Sequence, residues 1–330
     1  MIKSSIIIPT RNRAIPLASA IQTIILQDYP IPQFEIIIVD NGSTDHTKKN
    51  VETAILNNPT CNIKYVFEPE PGLLSGRHRG ALEAKGDILI FVDDDIEPVK
   101  TWLTSIMETF EDEDIHLVGG PSFPKFEVEP PEWIYSFFQI YQDQFICAPL
   151  SLSYRGDQKI IIDARFVWGL NYSIRKKTLF NLGGFHPDCI PKELQCFQGD
   201  GETGLCMKIN DKSLKAIYSP KVAVYHNIPR KRLTVSYFKE RFYYQGVCDS
   251  YTQIRQNKGL SSNTVPTISE VDHQKLSSMT TYDQYKQIIY QQIHKAYVHG
   301  FIFHCEAVKK NNSLLKWILR ENYFDYRLPH

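Results

Sequence analysis

An α/β fold with a doubly wound, Rossmann-like sheet is predicted by three features of the 330-residue sequence: short apolar runs alternating with amphipathic segments over residues 4–95, near-continuous Ile and Val within those runs, and polar loops directly after them. Strand signals fall at 5–8, 34–39, 63–67 and 87–92, and their unbroken branched aliphatic content suits strands covered on both faces. Helical spacing of apolar residues occupies the intervals 14–27, 44–57 and 74–85. Strand, helix and strand in alternation read as a parallel sheet with crossover helices. A further helix is predicted at 101–110, then a proline- and aromatic-rich passage through Pro130, Pro131 and Trp133, and a second block of strands and loops at 160–226. From residue 233 the pattern turns helical, interrupted by a polar stretch near 256–280 that reads as a loop.

Composition narrows the class. Hydrophobic residues at 42% and charged residues at 22% are ordinary soluble usage. Lysine plus arginine equal aspartate plus glutamate at 37 each, which leaves no global charge for a nucleic-acid backbone. The seven cysteines form neither CxxC pairs nor the spacing of a disulfide scaffold, so a reduced, cytoplasmic setting is expected. The apolar run at 6–8 stops at Pro9 without a leader cleavage region and reads as a first strand. No segment approaches the roughly 20 apolar residues that span a bilayer, so membrane contact is expected to be peripheral, at the cytoplasmic face.

Open α/β sheets bind ligands beyond the carboxyl ends of their strands. Pro9, Thr10, Arg11, Asn12 and Arg13 follow the first strand, Asp40, Asn41, Gly42, Ser43, Thr44 and Asp45 the second, and Asp93, Asp94 and Asp95 the fourth. Adjacent carboxylates repel and raise one another's pKa unless a counter-ion is present. Mg²⁺ or Mn²⁺ resolves that conflict, binding through one or two carboxylates and a substrate diphosphate. Asp93 and Asp95 can face one way with Asp94 another; Asp95 is the expected principal metal ligand and Asp93 a contact to ribose or metal-bound water. The competing reading is a helix cap for the segment near Pro98. Asp40 ends a buried strand and offers a carboxylate to a nucleobase or ribose. For Gly42, Ser43 and Thr44 a turn and cap is an adequate account. Arg11 and Arg77 are candidates to approach the diphosphate, against the plainer reading of solvated surface groups.

The ordered set Ile7-Ile8-Pro9-Thr10-Arg11-Asn12, Val39-Asp40-Asn41-Gly42-Ser43-Thr44-Asp45, Gly72 through Arg77, and Phe91-Val92-Asp93-Asp94-Asp95 resembles the nucleotide-sugar-binding half of the family 2 glycosyltransferases, which have the GT-A fold. One such element is weak; four in the family's order are specific. The resemblance covers residues 3–230. It implies a GT-A catalytic domain at 1–230, with a nucleotide-sugar half at 1–98 and an acceptor and base half at 99–230, followed by a mainly helical region at 231–330. It also implies a nucleotide-sugar donor, UDP-linked by preference, held by Pro9, Thr10, Arg11, Asn12, Asp40, Asn41, Ser43, Arg77, Asp93 and Asp94. Asp95, Asp93 and His226 would hold Mn²⁺ or Mg²⁺. The implied reaction is inverting transfer to a hydroxyl of a glycan, glycolipid or protein, in surface polysaccharide or glycoconjugate biosynthesis.

The family carries a Gly-Glu-Asp-type motif at the start of a helix, whose carboxylate is the base, and a downstream histidine. Here Gly199-Asp200-Gly201-Glu202-Thr203-Gly204-Leu205 takes that place, and Val222-Ala223-Val224-Tyr225-His226 follows. Alignment on Leu205 puts Glu202 where the family has aspartate, a departure that leaves the base open between Glu202 and Asp200, the other being an N-cap. A histidine such as His226, taken alone, is more often structural than a ligand. Residues 166–175 resemble the segment lining the family's sugar and acceptor site: Trp168 would stack on a sugar, Gly169 would line the site, and Asn171 would bond a hydroxyl. A buried aromatic and a turn asparagine are equally ordinary readings of the same residues.

Residues 230–244 join Arg230, Lys231 and Arg232 to a basic, aromatic, amphipathic run. Two readings stand: a membrane-surface segment that meets a lipid-linked acceptor, or a helix packing its aromatic face on the catalytic domain. The aromatic C-terminal helices are candidates for a homodimer interface. A sugar nucleotidyltransferase would share the nucleotide half and the acidic site, but would carry a glycine-rich loop where this chain has Pro9-Thr10-Arg11-Asn12. A dinucleotide oxidoreductase would need GxGxxG in the first turn. A nucleotide-sugar-binding protein without a base is the non-enzymatic alternative.

Overall fold

The structure is a computed structural model that describes residues 1–260, 264–267, 279–325 and 327–328. In chain order its strands are β1 (Ser4–Thr10), β2 (Phe34–Asp40), β3 (Ile63–Phe67), β4 (Ile88–Val92), β5 (Ile96–Pro98), β6 (Ile115–Gly119), β7 (Ser122–Phe126), β8 (Gln139–Tyr141), β9 (Gln144–Cys147), β10 (Leu152–Tyr154), β11 (Ile160–Ile162), β12 (Asn171–Arg175), β13 (Lys215–Tyr218) and β14 (Val224–Ile228). Eight of them form one sheet in the order β11-β13-β6-β12-β4-β1-β2-β3, and six form a second in the order β5-β14-β7-β10-β9-β8.

Strands β1, β2 and β4 are buried along their whole length, which is why their sequences show unbroken aliphatic runs instead of alternation. Period two still sorts the residues by face. Ile6, Ile8, Ile36 and Ile38 pack with Leu17, Ile21 and Val51 from the helices Ala14–Ile25 and Thr47–Asn57. Ile7, Ile37 and Val39 pack on the other face with Leu74 and Ala81 of the helix Leu73–Glu83. That helix lies so close to β1 that a β-carbon on Gly80 would stand 2.3 Å from Ile7 Cγ2. The helix Trp102–Thr109 completes the predicted set.

Pairings in the second half bring distant residues to the strand ends. β12 runs antiparallel to β4 with Asn171 opposite Val92, so the residues before Asn171 lie beside Asp93. β14 runs antiparallel to β5 with His226 opposite Ile96, which sets His226 next to Asp95.

The C-terminal region is two long helices, Val235–Gln256 and Thr281–Lys310, capped by Thr234 and Thr280 through hydrogen bonds to the N–H groups of Tyr237 and Asp283. The polar stretch expected at 256–280 lies largely outside the described residues. The two helices cross at glycines: a β-carbon on Gly246 would fall 2.0 Å from the Tyr297 carbonyl oxygen, and one on Gly300 would fall 1.9 Å from that of Tyr243. Beyond them Tyr323 returns to the loop after the helix Lys176–Asn181, its N–H donating to the Gly183 carbonyl. All seven cysteines are free thiols. No helix among the described residues is long and apolar enough to cross a membrane.

Because backbone meets backbone at that crossing, Gly300→Ala forces the helices apart, and the expected loss is about 1–3 kcal/mol of unfolding free energy. Urea denaturation of the variant checks it, and an unchanged midpoint would show that the helix pair separates freely.

Candidate active site

The loops after β1, β2 and β4 meet at one end of the large sheet. Asn12 has φ 54°, a left-handed conformation that asparagine tolerates. Its N–H donates to Ser43 Oγ at 2.9 Å and its Oδ1 accepts from the Thr44 N–H at 2.7 Å, which fastens the first loop to the second. Arg13 reaches inward from this turn. Its Nε donates to Asp94 Oδ1 at 2.6 Å and its Nη2 to Asp95 Oδ2. Arg11 stays exposed and lines the rim of the same crevice, with Pro9 and Thr10 beside it.

Much of the second loop works on the loops themselves. Asp40 Oδ1 accepts from the Ser43 N–H and Oδ2 from the Tyr65 hydroxyl, leaving one further lone pair on each oxygen. Asn41 donates to the Glu68 and Glu70 carbonyls and accepts from the Gly72 N–H, which holds the approach to the helix Leu73–Glu83. Asp45 caps two helix starts, through the N–H groups of Thr47 and Ala14.

The aspartate triplet caps no helix: Thr101 is the N-cap of the next one, and β5 starts directly after Asp95. Asp94 is buried and accepts from Thr10 Oγ1 at 2.6 Å as well as from Arg13. Burial pushes its pKa up to about 6 against the pull of Arg13. Asp93 opens onto the crevice, and burial together with the neighbouring Asp95 raises its pKa. Asp95 is buried too, but His226, Arg232 and Arg13 outweigh that and hold its pKa well below the usual carboxylate range. Arg232 Nη2 lies 3.1 Å from Asp95 Oδ2.

His226 Nδ1 donates to the Leu150 carbonyl at 3.0 Å, so Nε2 carries the lone pair. That lone pair accepts from Arg232 Nη1 at 2.7 Å and lies 3.5 Å from Asp95 Oδ1. Among the described residues no three His, Cys, Asp or Glu side chains converge as a metal cluster. The predicted trio Asp95, Asp93 and His226 is therefore not assembled as a closed centre, because Arg13 and Arg232 already occupy Asp95 Oδ2. The remaining donors still suit a cation shared with a ligand. Asp95 Oδ1 is buried with no hydrogen-bond partner and Asp93 opens onto the same crevice, whereas His226 Nε2, 3.5 Å from Asp95 Oδ1, would have to release Arg232 to join them. Mg²⁺ and Mn²⁺ ordinarily take one or two protein ligands and complete their shell with phosphate and water.

A cleft of about 520 Å³ adjoins this crevice, with Leu73, Asp93, Cys189 and Arg232 common to both. Into it projects Glu202, the first residue of the helix Glu202–Asp211. Its Oε1 accepts from the Gly169 N–H at 3.0 Å and its Oε2 from Arg77 Nη1 at 3.1 Å. Arg77, expected near a diphosphate, is instead buried against Phe185 and paired with Glu202. Gly169 makes room for it: a β-carbon there would fall 2.0 Å from Arg77 Nη2. Burial works against the charged Glu202, yet Arg77 and the Gly169 N–H keep its pKa below the ordinary value.

Asp200, the other candidate base, is differently placed. Its Oδ1 lies 2.7 Å from His186 Nδ1 and its Oδ2 accepts from the Thr252 hydroxyl at 2.7 Å. Both line the cleft, but its side chain is 3% exposed against 23% for Glu202, so Glu202 is the more open of the two. Trp168 packs on the apolar cluster under β1 and β4 and stands outside the cleft lining, while Asn171 is buried, bonded to Trp102 Nε1 and the Val222 carbonyl. Gly169 and Leu170 are the members of that segment on the cleft wall.

Sequence reasoning missed Arg13, Arg232, Asp188 and Arg241. Arg232 and Arg241 were legible only as parts of the basic run at 230–244. In the structure Tyr237, Arg241 and Tyr244 from that run line the cleft, and Phe238 is buried against Trp133. Asp188 lies on the cleft wall beside Gly201, and burial and the nearby Glu202 raise its pKa.

The profile of the family described as Glycosyl transferase family 2 matches residues 5–180. Glycosyltransferase AglE of Haloferax volcanii is 32% identical over 117 residues, 35% of this chain and 38% of its own length. A GalNAc(5)-diNAcBac-PP-undecaprenol beta-1,3-glucosyltransferase of Campylobacter jejuni is 33% identical over 122 residues, 36% of this chain and 38% of its own. A glucosyl-dolichyl phosphate glucuronosyltransferase of Haloferax volcanii is 22% identical over 237 residues, 69% and 70% of the two chains. This chain thus spans well under two thirds of the length of the first two. Among solved structures, mannosyltransferase PcManGT from Pyrobaculum calidifontis, in complex with GDP-Man and Mn²⁺, superposes with a TM-score of 0.55 at 19% identity, covering 94% of this chain and 75% of that one. S. aureus TarS 1–349 in complex with UDP-GlcNAc gives 0.50 at 15% identity, over 94% and 92%. At such identities the likeness shows the fold.

Next to Arg77, His78 holds the site to the C-terminal segment. Its Nε2 accepts from the Phe185 N–H at 2.9 Å, its Nδ1 donates to the Tyr323 carbonyl at 3.2 Å, and its ring stacks on Phe324. Burial pushes its pKa down from 6.5 to about 3. The unfolded chain therefore takes up a proton below pH 6.5 that the folded chain refuses until about pH 3. Stability from this group is complete above that window and is lost as pH falls through it. Replacing it by glutamine, which keeps a donor and an acceptor but does not titrate, should flatten the fall in urea midpoint between about pH 7.5 and 5. Parallel falls in wild type and H78Q would refute the assignment.

Proposed function

The chain belongs to glycosyl transferase family 2, and we propose from that premise that its cleft carries an inverting, metal-assisted transfer of a sugar from a nucleoside diphosphate to a hydroxyl acceptor. Its fold is GT-A, as in PcManGT. The observation that carries the proposal is the placement of Glu202: a partly exposed carboxylate, oriented by Arg77 and the Gly169 N–H, in a cleft continuous with the triplet crevice. The complexes of PcManGT with GDP-Man and of TarS with UDP-GlcNAc support a nucleotide sugar as donor, and a UDP-sugar is our preference.

In the proposed reaction the acceptor oxygen forms a bond to the anomeric carbon while the bond from that carbon to the diphosphate oxygen breaks. The bonding pair leaves with the nucleoside diphosphate, and the acceptor proton passes to Glu202. Arg77 keeps Glu202 ionised and therefore able to receive it. Asp200 holds the loop of Glu202 in place through His186 and Thr252, a positioning role. Arg13 and Arg232 border the crevice where negative charge grows on the leaving group. A divalent ion held by Asp95, Asp93 and His226 would offset further charge there. The acceptor is a glycan, glycolipid or protein hydroxyl in surface polysaccharide or glycoconjugate synthesis.

Glu202→Gln keeps shape and removes the proton acceptor, so turnover should fall by about a hundredfold to ten-thousandfold, with UDP affinity by calorimetry unchanged. Full transfer by E202Q would eliminate Glu202 as base. UDP should also bind more weakly once the divalent ion is chelated, and identical affinity with Mn²⁺ and with chelator would remove the ion from the site.

A further inference from the structure

A groove of about 320 Å³ opens beside the catalytic cleft and shares Pro149, Arg241 and Gln245 with it. One wall is the hairpin of β8 and β9, the other the helix Val235–Gln256, and Phe137, Ile146, Ala148 and Phe242 make its lining mainly apolar. At the end of β8, next to the hairpin's turn, Ile140 and Tyr141 are 71% and 72% exposed, an unusual setting for two large apolar side chains in sequence.

Arg241 stands where groove meets cleft. Arg13, Arg77 and Arg232 each face a carboxylate. Arg241 instead donates to Gln245 Oε1 at 3.2 Å; its charge reaches Asp249, but among the described residues it forms no direct ion pair. Asp249, two turns further along the helix, is bonded to Gln245 and to Tyr297. A guanidinium so placed suits an anion, and its planar fork matches the oxygens of a phosphate as it does those of a carboxylate.

We propose that the acceptor is lipid-linked: a hydrocarbon chain in this groove, the phosphate that joins it to the head on Arg241, and the head's hydroxyl toward Glu202. This rests on the transferase reading above and deepens it by naming the acceptor's chemistry. Such a molecule has an apolar part, an anionic junction and a polar head in the order in which groove, Arg241 and cleft occur. A soluble glycan would leave the apolar groove unused. Ile140 and Tyr141 then rest on the lipid surface from which the chain enters.

The test uses the full chain and three probes by calorimetry: geranyl phosphate, geraniol and inorganic phosphate. Geranyl phosphate should bind at least about tenfold more tightly than either of the others. Ala148→Phe, at an exposed groove position outside the catalytic cleft, should weaken geranyl phosphate by about tenfold and leave UDP affinity unchanged. Arg241→Gln should weaken geranyl phosphate by a similar factor and leave geraniol unchanged. Inorganic phosphate binding as tightly as geranyl phosphate would overturn the proposal, as would unaltered geranyl phosphate affinity in A148F. A solution dimer that A148F dissolves would also overturn it, since a second copy would then be the occupant of the groove. UDP binding measured alongside separates the two readings. Wild type that binds UDP but not geranyl phosphate loses only the acceptor assignment, whereas wild type that binds neither loses the transferase reading and this one with it.

Discussion

Carboxylates buried at the end of a hydrophobic strand need positive charge, and the organisation of this protein follows from how that charge is supplied. Asp94 and Asp95 lie at the carboxyl end of β4 with almost no solvent, where an uncompensated ion would neutralise itself or unfold the site. Arg13 comes from the loop after β1 and Arg232 from the segment after β14, so two parts of the chain more than two hundred residues apart in sequence close on one pair of side chains. Asp93 is left on the open side, and one buried oxygen of Asp95 is left unpaired. The site is thus charged where a ligand arrives and balanced where it does not.

A second ion pair performs the same service across the cleft. Arg77 starts from the helix Leu73–Glu83 and ends on Glu202 of the helix Glu202–Asp211, 125 residues away in sequence. Its guanidinium lies on Phe185, whose backbone N–H is held by His78, which in turn holds Tyr323. The C-terminal region is therefore more than an appendage: it fixes the wall on which the proposed base stands, and its first long helix supplies Tyr237, Arg241 and Tyr244 to the cleft.

Much of this was legible before folding. β1 to β4 and the three helices between them appear in sequence because a strand buried on both faces must be aliphatic throughout, and an amphipathic helix must repeat at 3.6. Asp93, Asp94 and Asp95 stood out because three charges after such a strand have no cheap structural account. Residues whose roles depend on direction were harder. Arg11 and Arg13 are two positions apart in one loop, and the left-handed Asn12 between them is associated with the inward path of Arg13. Trp168 and Asn171 look like ligand contacts by the family resemblance, but their side chains are taken up by the apolar cluster and by Trp102 and Val222.

What the sequence by itself determined is local: the order of strands and helices, the polar loops at strand ends, and the carboxylates that could not be explained by packing. Only the tertiary structure separated the surroundings of Glu202 from those of Asp200, paired Arg77 with Glu202, and placed Tyr237, Arg241 and Tyr244 of the run at 230–244 on the cleft wall. The physical reason is that solvent exposure and charge pairing are properties of neighbours in space. Asp200 and Glu202 are two residues apart in the chain, yet one is bonded to His186 and Thr252 with 3% of its side chain exposed and the other, paired with Arg77, is 23% exposed.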